Sequence, residues 1–210
     1  MNIIKPRKNN NLIKTEKLLE EIEDEEVINK QIENVNLQDI DIYEINFETL
    51  KMINVEITNS KLEKSTFTDI TFESCNFSNT SFENSIFIRC EFKNCKMTGC
   101  NLSEARLYNV SFIDTNINYA NLSYTSMENL LFKNTGLRNS SLQQNNLKNI
   151  CFEKADLAQA QIFKTSFKDI YLSDSIIEGI AISIEDIKGA LINQFQAVDL
   201  LYLIGVKIKL

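Results

Sequence analysis

The chain has 210 residues, 43% of them apolar, with 29 acids against 22 bases for a net charge of −7. That length predicts one good-sized core, and the acidic balance disfavours direct binding to nucleic acid or to an anionic membrane. With no His, no Trp, one Pro and five Gly, His-dependent triads, His metal sites and Gly-rich phosphate loops are excluded, which argues against an enzyme and against a bound cofactor or metal.

At the N-terminus, residues 12–28 set Leu12, Leu18, Leu19, Ile22 and Val27 among Glu and Lys. The pattern predicts an amphipathic helix, placed in a segment 1–31 that serves as an N-terminal cap. No signal-peptide h-region is visible, no apolar run approaches the roughly 20 residues of a membrane span, and five cysteines leave an odd thiol. The expectation is a cytoplasmic, reduced protein.

From Leu37 through Ile42, Phe47, Met52 and onward to Ile187, every fifth residue is large and apolar, 31 in succession. Helices repeat their faces every 3.6 residues and strands every 2. A strict period of five therefore requires the backbone to turn once per repeat, as a solenoid does. Two positions before each central residue the side chain is typically small, as at Ser60, Cys75, Thr80, Ala105, Thr125 and Ala160; two positions after it Asn recurs, as at 54, 59, 79, 94, 129 and 149. Asn tolerates left-handed backbone, so this second position predicts a corner.

A superperiod of twenty sets the coil. Phe72, Phe92, Phe112, Phe132 and Phe152 are spaced by 20, and the small position turns bulky only ahead of that column, at Leu50, Ile70, Val110, Leu130, Ile150 and Ile170. Four five-residue sides then make one coil, and residues 32–191 form an all-β solenoid of about eight coils, roughly 37 Å long at the ~4.8 Å strand spacing. The Phe column is a ladder in its core.

After Ala190 the pattern stops. The stretch "NQFQAVDLLYLIG" predicts a helix in the segment 192–210, with Asn193 as N-cap, Gln196 three residues on and Gly205 as the stop. Its apolar residues exceed one stripe, and the closing "VKIKL" alternates like an amphipathic strand. One face can cover the last coil, leaving Phe195, Val198, Leu201, Tyr202, Val206 and Ile208 for the same element of a second chain. The alternative is a cap folded back on its own chain.

Outward positions hold the remaining chemistry. Asp41, Glu44, Glu63, Glu83 and Glu104 fall on one side over successive coils, a candidate acidic ladder, although Lys61 and Lys64 share that side. Tyr43, Tyr108, Tyr119, Tyr124, Ile86, Ile88 and Phe163 also face outward in this register. Cys75, Cys90, Cys95 and Cys100 all take the small inward position, where free Cys behaves as a small hydrophobe.

The pentapeptides "ANLSY", "ADLAQ", "CNLSE" and "CNFSN" resemble the A(D/N)LXX consensus of the pentapeptide-repeat family. The resemblance implies a right-handed quadrilateral β-helix. The tail is similar to the helix and strand through which the Qnr and MfpA-like quinolone-resistance branch dimerises. That branch is thought to mimic duplex DNA at type II topoisomerases such as DNA gyrase, so the resemblance implies a homodimer with a topoisomerase partner. A structural or protein-interaction module unrelated to topoisomerases is the alternative.

Overall fold

A computed structural model describes residues 3–22 and 25–207. They form a parallel β-solenoid of about eight turns. In chain order its first elements are β1 (Ile13–Thr15), α1 (Leu18–Ile22), β2 (Glu26–Ile28), β3 (Lys30–Glu33), β4 (Asn36–Gln38) and β5 (Asp41–Tyr43). The rod continues through β6 (Asn46–Ile53), β7 (Glu56–Thr58), β8 (Lys61–Glu63), β9 (Thr66–Glu73), β10 (Ile86–Lys93), β11 (Arg106–Ile113), β12 (Ser126–Lys133) and β13 (Asn146–Glu153). It ends with β14 (Gln161–Ile162), β15 (Ala181–Ile182), α2 (Ile184–Ile187), α3 (Gln194–Leu200) and a 3-10 turn, Leu201–Ile204. Among the described residues no helix is long and apolar enough to cross a membrane.

Successive long strands pair in parallel with each residue opposite the one twenty positions on, as Phe72 pairs with Phe92 and Phe112 with Phe132. The main sheet runs β1-β3-β6-β9-β10-β11-β12-β13, with β2 also on β6. The four sides are of two kinds. Those centred on Phe67 and Phe72 merge into one eight-residue strand, β9, whereas those centred on Phe77 and Phe82 are short turns closed by Thr80 N–H to Phe77 O and Ser85 N–H to Phe82 O, both 3.1 Å. A bulky inward residue precedes the Phe72 side, where the strand runs on through the corner, but contrary to the sequence expectation Ile45, Val55 and Ile180 are buried at the same position on other sides.

At the other corners the inward side chain does more than leave room. Thr80, Ser85, Thr135 and Thr165 donate their hydroxyls to Ile57, Leu62, Phe112 and Leu142 carbonyls of the preceding coil at 2.7–3.0 Å. A buried hydroxyl here satisfies itself on a backbone acceptor. The corner residues hold φ between 49° and 63° in non-glycine residues, among them Asn54, Asn59, Asn79, Asn129 and Asn149. Asn relieves the usual penalty of the left-handed region, and its amide also joins coils, as Asn79 Nδ2 donates to Asn59 Oδ1 at 3.0 Å.

The core is a stack of rings. Phe72, Phe92, Phe112, Phe132 and Phe152 lie nearly parallel with centroids 4.4–5.2 Å apart. Phe47, Phe67 and Phe87 make a second stack on the neighbouring side at 4.9 and 4.5 Å. Phe77 and Phe82 complete the same coil edge-on, 5.6 Å apart.

Two parts depart from the sequence expectation. The helix expected over 12–28 is confined to Leu18–Ile22: Ile13–Thr15 is a strand on β3, and Glu26–Ile28 is a strand on β6. The reason is phase, because Val27 and Ile32 continue the fifth-residue column and are fully buried, so the coil begins before Leu37. Buried Leu18 on α1 covers the open end. At the other end Ile187, last of the column, lies in α2 and is only half-buried.

Replacing Phe112 by Ala removes a fully buried ring with partners above and below. It should cost about 3–5 kcal/mol in urea melts; a midpoint equal to the parent's would show that the stack does not support the rod.

Candidate functional site

The outward surface offers three candidate features: the acidic side, the C-terminal end, and the corner that the N-terminal segment touches.

On the acidic side, Glu63 and Glu83 occupy one column a coil apart, since residues 61 and 81 bridge in the same register. Glu44 and Glu104 stand at the adjoining corner column, with φ of 60° and 59°. Asp41 is engaged by Lys61 at 3.0 Å, and Asn101 Nδ2 donates to Glu83 Oε2 at 3.1 Å. The Lys61 ammonium is held above the usual lysine range by its hydrogen bond to Asp41 and then by that to Tyr43. The five acids share a side, but Asp41 is neutralised and Lys64 stands in the corner column between Glu44 and Glu104.

At the C-terminal end, Asn193 caps α3 by accepting from Phe195 and Gln196 amides at 2.8 and 3.0 Å, and Gln196 Oε1 returns the bond to Asn193 N–H at 2.8 Å. Gln196 is buried, donating its amide to Leu172 O and Ser175 O at 2.7 and 2.6 Å. Asn193 Nδ2 reaches Ser173 O at 2.7 Å, and Tyr202 Oη donates to Ile180 O. Polar anchors thus dock α3 on the last coils. Apolar residues of α3 and of the turn after it point away: Phe195 is 75% exposed, and Val198, Tyr202, Ile204 and Val206 are exposed with it, while Leu201 is half-buried. Gly205, in left-handed backbone at φ 75°, ends the 3-10 turn. Val206 and Lys207 are not in a strand, and Ile208 lies outside the described residues.

The outward aromatics Tyr43, Tyr108, Tyr119, Tyr124 and Phe163 are exposed, whereas Ile86 and Ile88 are half-covered. Sequence reading misses Tyr171, Ile176 and Leu191, all exposed near the C-terminal end, with Tyr171 bridged to Leu191. Tyr171 and Ile176 occupy the position just before a central residue, so the register itself could have found them.

The thiols are free, and four of the five are buried. Burial pushes those of Cys90 and Cys100 up to about 12. Cys75 and Cys95 donate to carbonyls, Cys75 to Met52 O at 3.5 Å and Cys95 to Lys93 O at 3.3 Å, and the adjacent Cys75 together with burial raises the Cys95 thiol. Among the described residues no three His, Cys, Asp or Glu side chains are grouped to hold a metal ion.

At the third feature the contacts of the N-terminal segment have no sequence signal. Asp69 stands at the corner between the Phe67 and Phe72 sides, its side chain 2% exposed, and Arg89 one coil on grips both its oxygens at 2.6 Å. Arg7 N–H adds a hydrogen bond at 2.9 Å. Burial alone would raise the Asp69 carboxyl, but the Arg89 hydrogen bonds, the Arg7 amide and both positive charges hold it below the usual range.

Against known proteins, residues 85–162 match the family model described as pentapeptide repeat region. No curated protein sequence matches. Among solved structures, the fold is similar to HetL, a pentapeptide repeat protein involved in heterocyst differentiation regulation from the cyanobacterium Nostoc. HetL is 12% identical, with 85% of this chain and 94% of HetL covered and a TM-score of 0.53. Full-length QnrB1, a plasmid-mediated fluoroquinolone resistance protein, is 16% identical over 83% of this chain and 100% of its own, with a TM-score of 0.48.

Because the Asp69 carboxyl is lowered in the fold, its stabilisation is fully present above the unfolded value of about 3.9 and is lost as pH falls through the folded value. Asp69→Asn should cost about 3 kcal/mol at pH 7 by leaving Arg89 unpaired. The gap between variant and parent urea midpoints should narrow as pH drops below about 4; a gap that stays constant would remove the ion pair as its source.

Proposed function

We propose that this pentapeptide-repeat protein works without catalysis, as a rigid cytoplasmic rod that pairs with a second copy through α3 and presents its sides to a protein partner. The observation that carries the reading is the apolar side of α3. Polar anchors, Tyr202 among them, already fix the tail to its own coils, so Phe195 and Val198 are left with no role in docking it. Contiguous exposed apolar surface of this kind marks an interaction site, and a two-fold arrangement lets the same patch serve both copies.

The resemblance of its pentapeptides and tail to the quinolone-resistance branch directs the partner reading to the DNA-binding site of a type II topoisomerase, which the rod would occupy as a mimic of duplex DNA. The Glu63 and Glu83 column supports it: like charges stacked at about 4.8 Å repel, as phosphates do along a strand. A second reading, an interaction module unrelated to topoisomerases, is favoured by the acids tied up in ion pairs, namely Asp41, Asp69, Glu128 and Glu153 with Lys61, Arg89, Lys148 and Lys133.

Val198→Asp should leave the fold intact and turn a dimer into a monomer in sedimentation at micromolar protein; a parent that is already monomeric would refute the α3 pairing. In a gyrase supercoiling assay, with and without a fluoroquinolone, the parent should change the enzyme's response and Glu63→Lys with Glu83→Lys should weaken that effect. No effect of the parent would leave the second reading standing.

A further inference from the structure

The twelve residues ahead of β1 hold three bases, Lys5, Arg7 and Lys8, and no acid, a net +3, so the other 198 carry 19 bases against 29 acids, a net −10. This basic arm lies on the acidic rod. Arg7 N–H donates to Asp69 Oδ1 at 2.9 Å and Ile4 N–H to Asn109 Oδ1 at 3.2 Å. The two acceptors stand in one corner column two coils apart, about 9.6 Å, and three residues of extended chain span about 10 Å. The arm is in register with the corner, and the corner reads its backbone N–H groups.

The hold is slight. The Arg7 side chain is 77% exposed and comes no nearer to Asp69 than 3.9 Å, and Ile4 is exposed. A cavity of about 490 Å³ remains between the arm and the wall, where Glu73 and Glu91 are paired with Lys51 and Lys93 at 3.3 and 2.5 Å. If the arm leaves, Asp69 keeps both bonds to Arg89, so no buried charge is stranded. Further along, buried Asn109 keeps Nδ2 without a hydrogen-bond partner among the described residues. The corner offers more polar capacity than the arm uses.

We propose that this corner is a docking track for an extended basic segment of a partner protein, recognised through its backbone, and that the chain's own N-terminal arm fills the track until displaced. The net charge of the rod selects a basic segment. The two backbone contacts exclude Pro at the Ile4 and Arg7 positions, and Pro6 falls between them. The proposal is independent of how α3 pairs and of any topoisomerase.

The probe is a fluorescein-labelled peptide of residues 3–12, added to the full-length parent and to full-length Lys5→Glu, Arg7→Glu, Lys8→Glu, whose arm no longer matches the rod. Tethering gives the parent's own arm a high effective concentration, so anisotropy should show the variant binding the peptide at least tenfold tighter than the parent does. Binding should weaken with salt, and N-methylation of the peptide at the Arg7 amide should cost at least tenfold. No binding by the variant, or undiminished binding of the methylated peptide, overturns the track. Should the variant fail to fold by far-UV CD, the parent alone decides: excess peptide should strip hydrogen-exchange protection from the Ile4 and Arg7 amides, and unchanged exchange overturns the proposal. A dimer that survives Val198→Asp but is lost in the arm variant would assign the track to a second copy and overturn the partner reading.

Discussion

The rod depends on one constraint, the parallel register that sets each residue on its equivalent twenty positions away. In such a stack a side chain's nearest neighbour is its own counterpart, so each column must be made of groups that tolerate their like. Flat rings and aliphatic chains do so at about the strand spacing. The Phe stacks at 4.4–5.2 Å are that tolerance realised. The same register explains why buried Ser and Thr recur before the tight corners: each finds a carbonyl of the previous coil at the same place. Stability is then spread along the rod as nearest-neighbour terms.

Charge obeys the register less comfortably. Two acids in one column lie about 5 Å apart, a destabilising arrangement, and the chain mostly answers by putting a base one coil away. Asp41 with Lys61, Asp69 with Arg89, Glu128 with Lys148 and Lys133 with Glu153 all follow the offset of twenty. Glu63 above Glu83 is an exception, with Asn101 of the next coil rather than a base donating to Glu83.

Where the register holds, residue type alone suffices to read the structure: the central column, the small inward positions, the corner Asn and the twenty-residue coil all follow from it. The capping box at Asn193 and Gln196 is equally legible, because it is a local motif. Legibility fails where tertiary packing overrides local pattern. Val27 reads as helical among its glutamates, yet the fully buried slot at the head of the column takes it. The union of two sides into one eight-residue strand needs the corner geometry, and the tail divides into α3 and a 3-10 turn at Leu201. The contacts of Arg7 and Ile4 join positions 62 and 105 residues apart in sequence, with no periodic signal to reveal them.

These failures cluster where the repeat stops, and that has a physical cause. Within the rod each coil is covered by two others, so its backbone and core are satisfied by equivalent partners. The first and last coils have a neighbour on one side only and must use non-repeating chain, α1 with Leu18 at one end and α3 with Gln196 at the other. Non-repeating chain is also free of the register's demand for like on like. A basic arm and an apolar helix face can therefore appear there, in surroundings that the columns would not admit.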